Sequence, residues 1–381
     1  MSAIGGSFRP GLYIGLISGT SMDGIDAALV EIAQSKVKTV GFQTYPYSDE
    51  IGSELHRCVI ESSPVDLGTV SMLHVMIGEA FAEATTSLLQ TAEVDVSEIV
   101  AIGSHGQTVF HDPDSAHPFS LQLGAPSTIA AATGITTVAD FRSMDMAYGG
   151  QGAPLVPAFH VWAMQEAAAG SAALNIGGIA NFTIPSTAQG DLLGFDTGPG
   201  NCLMDLWCDQ HLGQPYDTNG EWAASGISSC ELLEALLKHP YFDRPPPKST
   251  GRELFGAAYL RDVFARLPNA EIEPADVQAT LLEFTVESIG RSIETTQSRL
   301  ETVYVCGGGA HNKALMDRLS DRMGTVKVTT FDDLGINPDA VEATTFAWMA
   351  ARRLAMEPVV TTTGSQLTST LLGAVYEPTR Q

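Results

Sequence analysis

Lysine and arginine are scarce. The 381-residue chain holds 20 of them against 44 Asp and Glu, a formal charge of −24, and such a field repels nucleic-acid backbones and anionic membrane surfaces. No nucleic-acid or membrane partner is expected, although a small anion can still be held where local N–H groups or a metal ion override the distant field. Cysteine is also sparse: Cys58, Cys202, Cys208, Cys230 and Cys306 are odd in number, irregularly spaced and without a C-x-x-C pair. That pattern reads as thiols in a reducing compartment. No segment approaches 18 uninterrupted apolar residues, and the opening MSAIGGSFRPG lacks the apolar stretch of a signal peptide, so the expectation is a cytoplasmic protein. Familiar nucleotide and nucleophile motifs are missing as well. Gly-Lys occurs nowhere, GGGAHN at 307–312 lacks the third glycine of a dinucleotide fingerprint, and GTSMDG at 19–24 is one residue too long for a nucleophile elbow.

What is present is a folded α/β grammar. The length suits two domains, each with its own core, and 44% of residues are hydrophobic. Apolar runs predict strands over 12–17, 25–32 and 38–45, a helix over 68–92, and strands near 99–104, 119–123 and 136–141, with a short helix in APSTIAAATG. YGGQGAPLVP, near residue 150, marks a boundary, followed by a helix over 157–168. The grammar then repeats: AALNIGGIANFTI is strand, glycine corner, strand, and LLGFDTGPG is a third strand. Helices are expected near 201–212, 228–238, 253–266 and 275–298, a strand over 302–308, a helix from Asn312, a surface loop at PPPKST (245–250) and a last helix over 339–356. The reading is two lobes, each a mixed sheet flanked by helices: 1–150 plus about 357–381 for the first, 151–356 for the second.

Three corners carry candidate chemistry. A tight turn rich in glycine and small residues can aim successive N–H groups at one phosphate. In YIGLISGTSMDGIDAALVEI the candidates are Ser18, Gly19, Thr20, Ser21, Met22, Asp23, Gly24, Ile25 and Asp26, with Asp23 or Asp26 placed to hold a hard cation. Gly177 and Gly178 repeat the device, and Gly307, Gly308 and Gly309 lead to Asn312 as a helix N-cap. An ordinary turn is the competing reading at each, but all three follow apolar strands. His105, His111 and His117, with Asp112 and Asp114, fit no familiar zinc spacing.

Together GLISGTSMDGIDAALVE, GSHGQTVFH, LQLGAPSTIAAATGITTVADFR, GGQGAPLVP, LNIGGIANFT, GFDTGPGN, CGGGAHN and EATTFAWMAARRL, in that order over about residues 12–376, resemble the anhydro-N-acetylmuramic acid kinase family. The resemblance implies a two-lobed actin-like ATPase fold, shared by sugar kinases, Hsp70 and actin, with a mixed five-stranded sheet in each lobe and ATP in an interlobe active-site cleft. It also implies a homodimer and a reaction in cell-wall sugar recycling: water adds to C1 of a 1,6-anhydro sugar while the γ-phosphoryl group of ATP passes to O6.

Such an acetal has no free hydroxyl, so opening it needs a base for water. Asp196 in GFDTGPGN matches the family's catalytic aspartate. Phosphoryl transfer calls for Mg²⁺, with Asp23 and Glu342 as candidate ligands. Glu342 has the alternative of favouring a helix N-terminus. The family pattern places Arg142 against the sugar or the transferring phosphate; an ion pair with Asp140, Asp145 or Asp23 is its alternative, and Asp140 is its expected partner or a sugar-hydroxyl acceptor. His105 and Gln107 are expected to shape the sugar pocket. The stretch PPPKSTGRELF also resembles the family, without a derivable role for Lys248 to Arg252. Levoglucosan kinase is the rival within the fold, and an Hsp70- or actin-like ATP-binding interaction module is the rival of another class.

Overall fold

The computed structural model describes residues 8–19, 22, 24–59, 65–185, 192–267, 272–296, 298–361 and 368–379. The chain divides into two compact units, Met1–Gln165 with Leu334–Gln381, and Glu166–Asp333.

In the first unit β1 (Gly11–Ser18), β2 (Ile25–Ile32) and β3 (Val37–Tyr45) form an antiparallel meander. β4 (Ile99–Asp112) runs parallel to β1, and β6 (Thr137–Ala139) runs parallel to β4, while β5 (Phe119–Leu123) folds back on the far end of β4. With Ala374–Tyr376 antiparallel to β6, the sheet has seven strands, not the five expected. The extra pairings come from the overlong β4 and from the short carboxy-terminal strand, whose three residues carry too little periodicity to be read.

In the second unit β7 (Ser171–Ile176), β8 (Ile179–Pro185) and β9 (Leu192–Pro199) form another antiparallel meander, and β10 (Thr302–Cys306) and β11 (Lys327–Thr330) lie parallel beside β7. Its sheet has the expected five strands. The strand orders β3-β2-β1-β4-β6 and β9-β8-β7-β10-β11 match in sequence and direction. The two halves share a topology that no residue-level repeat announces.

Helix Val341–Leu354 was expected in the second lobe. It packs instead in the first unit, with Ala343 through Ala351 buried. The approach demands glycine on the sheet: a Cβ at Gly15 would lie 1.7 Å from Ala343 O, and one at Gly103 would lie 1.9 Å from Phe346 O. The divisions therefore fall at 165/166 and 333/334 rather than near residues 150 and 356. Helices Asp49–Val59 and Phe141–Ala147 were not anticipated, and the helix expected over 157–168 spans Val156–Ala163.

Each sheet has its own apolar core. In the first unit Ile14, Leu16, Ile25, Leu29, Phe81 and Ile102 pack together, and in the second Leu174, Phe182, Phe255, Phe284 and Val305 do so. None of the five cysteines is in a disulfide. Among the described residues no helix is long and apolar enough to cross a membrane.

Candidate active site

In the first unit the corner between β1 and β2 is held from below. Ser18 Oγ donates to Gln107 Oε1 at 2.5 Å, and Gln107 Nε2 donates to Gly19 O at 3.2 Å and to Thr108 O at 3.1 Å. Gln107 thus ties its amide to the corner, and Ser18 is buried. Met22 sits at φ +55° with its N–H on Gly19 O at 3.2 Å. Gly24 leaves no room for a side chain, since a Cβ would lie 2.6 Å from Tyr45 O. Ile25, expected among the phosphate-binding residues, points into the core and has only its backbone to offer. Thr20, Ser21 and Asp23 lie outside the described residues.

The same unit holds a buried group built around Arg142. Arg142 Nε donates to His105 Nε2 at 2.7 Å, and Nη1 donates to Gly152 O at 2.7 Å. Because guanidinium only donates, His105 Nε2 accepts, and its Nδ1–H donates to Gly106 O at 2.9 Å. Burial and then Arg142 hold the imidazole pKa well below its usual value, so the ring is neutral. With both nitrogens used, His105 aims Arg142. Burial also draws Arg142 down to about 10, with Glu342 and then Asp145 opposing.

Glu342, in the first turn of its helix, has its pKa raised by burial and then by the Asp26 carboxylate, with Arg142 working the other way. Asp26 accepts from Thr44 Oγ1 at 2.6 Å. Asp140 is not the partner of Arg142: its Oδ2 accepts from Tyr376 Oη at 2.7 Å. Asp145, fully buried, accepts from Gly152 N at 2.8 Å and from Thr361 Oγ1 at 2.6 Å.

In the second unit the Gly177–Gly178 corner turns its carbonyls toward the next helix. Gly178 O accepts from Gly200 N at 2.9 Å, and Gly177 O accepts from Asn201 N at 2.8 Å. A Cβ on Gly178 would lie 2.8 Å from the Arg252 guanidinium, which therefore lies across the corner. Between Ala180↔Gly198 and Asn181↔Asp196 the β8–β9 register slips, leaving Thr197 as an extra residue. Such bulges re-aim neighbouring side chains, and here the neighbour is Asp196.

The expected surface loop at 245–250 is a support for that aspartate. Lys248 is only 9% exposed. Its carbonyl accepts from Asp196 N at 2.9 Å, and Thr250 N donates to Asp196 Oδ2 at 2.9 Å. Tyr241 Oη donates to Asp196 O at 2.7 Å, while Lys248 Nζ lies 4.6 Å over the Tyr241 ring and donates to Tyr241 O at 3.3 Å. Proline-rich composition suggested exposure, but these contacts span about fifty residues and leave no local periodicity to read. Burial pushes the Asp196 pKa up to about 6, with the Thr250 N–H opposing and Glu253 assisting.

The second unit also holds a cavity of about 370 Å³. Asn201, Met204 and Asp205 from helix Cys202–Leu212 line one side, and Tyr216 to Asn219 line another. Gly308, His311 and Asn312 close it. Asn312 Oδ1 caps helix Lys313–Met323 by accepting from Leu315 N at 3.0 Å, the role read from sequence. Gly307 is at φ +78°, and a Cβ on Gly309 would meet Ile176 at 2.4 Å, so this stretch must be glycine for close packing. Asp205 has its pKa raised to about 6 by burial, with Arg252 lowering it and Asp217 raising it. Asn201, Met204, Asp205, Tyr216, Asp217, Thr218, Asn219 and His311 were not anticipated. Only the run of consecutive turn formers in YDTNG hinted at a built loop.

The second unit thus holds a buried, tuned carboxylate and the first holds an arginine among carboxylates; the comparisons with known proteins say what the chain is similar to. The model of the family described as anhydro-N-acetylmuramic acid kinase matches residues 11–378. A protein of that name from Coxiella burnetii is 45% identical over 370 residues, covering 96% of this chain and 97% of its own. One from Aliivibrio fischeri is 48% identical over 344 residues, covering 90% and 92%. The chain belongs to the anhydro-N-acetylmuramic acid kinase family and is a phosphotransferase acting on a sugar hydroxyl. Among solved structures, a ROK family glucokinase from Streptomyces griseus in complex with glucose and AMPPNP is similar at TM-score 0.37 and 11% identity, covering 89% of this chain and 99% of that one.

Proposed function

We propose that the protein is an ATP-dependent kinase that opens 1,6-anhydro-N-acetylmuramic acid with water and phosphorylates O6, giving N-acetylmuramic acid 6-phosphate and ADP in cell-wall sugar recycling. The observation that carries this reading is Asp196: a carboxylate held on one oxygen, with a pKa near 6, is ionised at neutral pH yet basic enough to take a proton from water. As the water oxygen bonds to C1, its proton passes to Asp196. The C1–O6 bond breaks, and the O6 electron pair forms the new bond to the γ-phosphorus while ADP departs.

The cavity lined by Asn201, Asp205, Asn219 and Asn312 offers hydrogen-bonding groups and the Tyr216 ring for a nucleoside. Arg252 across Gly178 is suited to phosphate oxygens, and Arg142, aimed by His105, is suited to the transferring group or to the lactyl carboxylate. The Asp26 carboxylate raises the proton affinity of Glu342, and the two carboxylates would supply oxygen donors to Mg²⁺. Bound there, Mg²⁺ would neutralise phosphate charge. Relatives named for the muramic substrate favour that sugar over levoglucosan.

The test supplies ATP with each sugar in turn and with none. The expected result is a higher kcat/KM for the muramic substrate and little ATP turnover without sugar. ATP hydrolysis indifferent to sugar would overturn the reading.

A further inference from the structure

We propose that the Thr250 hydroxyl is a catalytic group that, together with Asp196, holds the attacking water. The inference rests on the reaction above and adds a residue to it. Thr250 is already fixed against the base, its N–H donating to Asp196 Oδ2 at 2.9 Å. The main chain of Asp196 in turn is fixed by the bonds from Asp196 N to Lys248 O and from Tyr241 Oη to Asp196 O. Thr250 Oγ1 is three bonds from the amide that touches the carboxylate. It is shielded from solvent and has no hydrogen-bond partner among the described residues. A buried hydroxyl without a partner is costly, and one kept beside a catalytic base calls for a ligand. Asp196 Oδ2 receives the Thr250 amide, which leaves Oδ1 for the reaction.

One water bridges both groups. It donates one hydrogen to Asp196 Oδ1 and the other to Thr250 Oγ1, and its lone pair is left facing C1. During attack the first hydrogen moves to Asp196 as a proton, the oxygen bonds to C1, and the C1–O6 pair leaves with O6. Thr250 takes no proton; it fixes the direction of the lone pair.

The test compares Thr250→Val and Thr250→Ser with the parent, after circular dichroism establishes folding. Thr250→Val keeps the amide and the shape but loses the hydroxyl. Its kcat for the anhydro sugar should fall by about 10²-fold, the effect of misplacing a reacting group, with KM for ATP unchanged. The acid limb of its pH profile should stay where the parent's is, because the bond from the amide to Asp196 survives. Thr250→Ser should recover to within about threefold of the parent, since its hydroxyl can make the same bond. A Thr250→Val enzyme within twofold of the parent, a shifted acid limb, or no recovery by serine would each overturn the assignment. Should Thr250→Val fail to fold, Thr250→Ala carries the same comparison. A parent that phosphorylates no anhydro sugar would instead overturn the reaction itself.

Discussion

In the first unit Arg142 and Glu342 are shifted by burial and by charges of both signs around them, whereas Asp196 in the second is tuned mainly by burial, with the Thr250 N–H opposing and Glu253 assisting. The difference teaches what each group can tolerate. In a group of mixed charges, changing one member shifts the others. A base tuned by burial depends on the shape of its support, and its own ionisation works against folding.

The sharpest break in that comparison is Asp196→Asn. Sugar phosphorylation should fall on the order of 10³-fold or more while ATP still binds, as measured by product formation and nucleotide titration. The parent itself should lose activity as pH falls through about 6, where Asp196 takes up a proton. Stability should move the opposite way. A carboxyl whose folded pKa lies above its unfolded value stabilises most at low pH and loses that contribution as pH rises through about 6. The asparagine variant escapes the loss, so at neutral pH it should be more stable than the parent by about 1–2 kcal/mol, partial exposure reducing the full shift. Thermal unfolding at pH 5 and pH 8 checks this, because the gap should widen with pH.

Arg142→Lys is expected next, with about a 10²-fold loss in kcat/KM. A lysine keeps the charge but cannot reach His105 Nε2 and Gly152 O in the guanidinium's fork. Comparing sugars with and without the lactyl carboxylate locates the loss. Equal losses on both place Arg142 at the phosphate, and a loss confined to the lactyl sugar places it at the carboxylate.

Gly178→Ala should have the smallest effect. Its Cβ would meet the far end of Arg252 at 2.8 Å, a flexible side chain that can give way. Stability should drop by no more than about 1 kcal/mol, with KM for ATP rising several-fold as Arg252 is displaced. An unchanged KM would remove Arg252 from the phosphate reading.

Much of this was legible in the sequence because its signals are local. Glycine corners after apolar strands, the N-cap at Asn312 and the carboxylate in GFDTGPGN each sit within a few residues. The support for Asp196 was not, since Tyr241, Lys248 and Thr250 reach it from about fifty residues away. His105 and Gln107 were expected to shape a sugar pocket, but only the fold shows that one aims Arg142 and the other clamps Ser18 and Gly19. Helix Val341–Leu354 was correctly seen as a helix and assigned to the wrong unit. Its burial partners Gly15 and Gly103 carry no side-chain signal at all.

The most direct measurement is turnover of the anhydro sugar with ATP in ¹⁸O-water, sampled before the reducing end exchanges with solvent and followed by ³¹P and ¹³C NMR. The account predicts label on C1 and none in the bridging O6–phosphorus bond. Label in the phosphoryl group or at O6, or labelled inorganic phosphate with no sugar 6-phosphate, would contradict it.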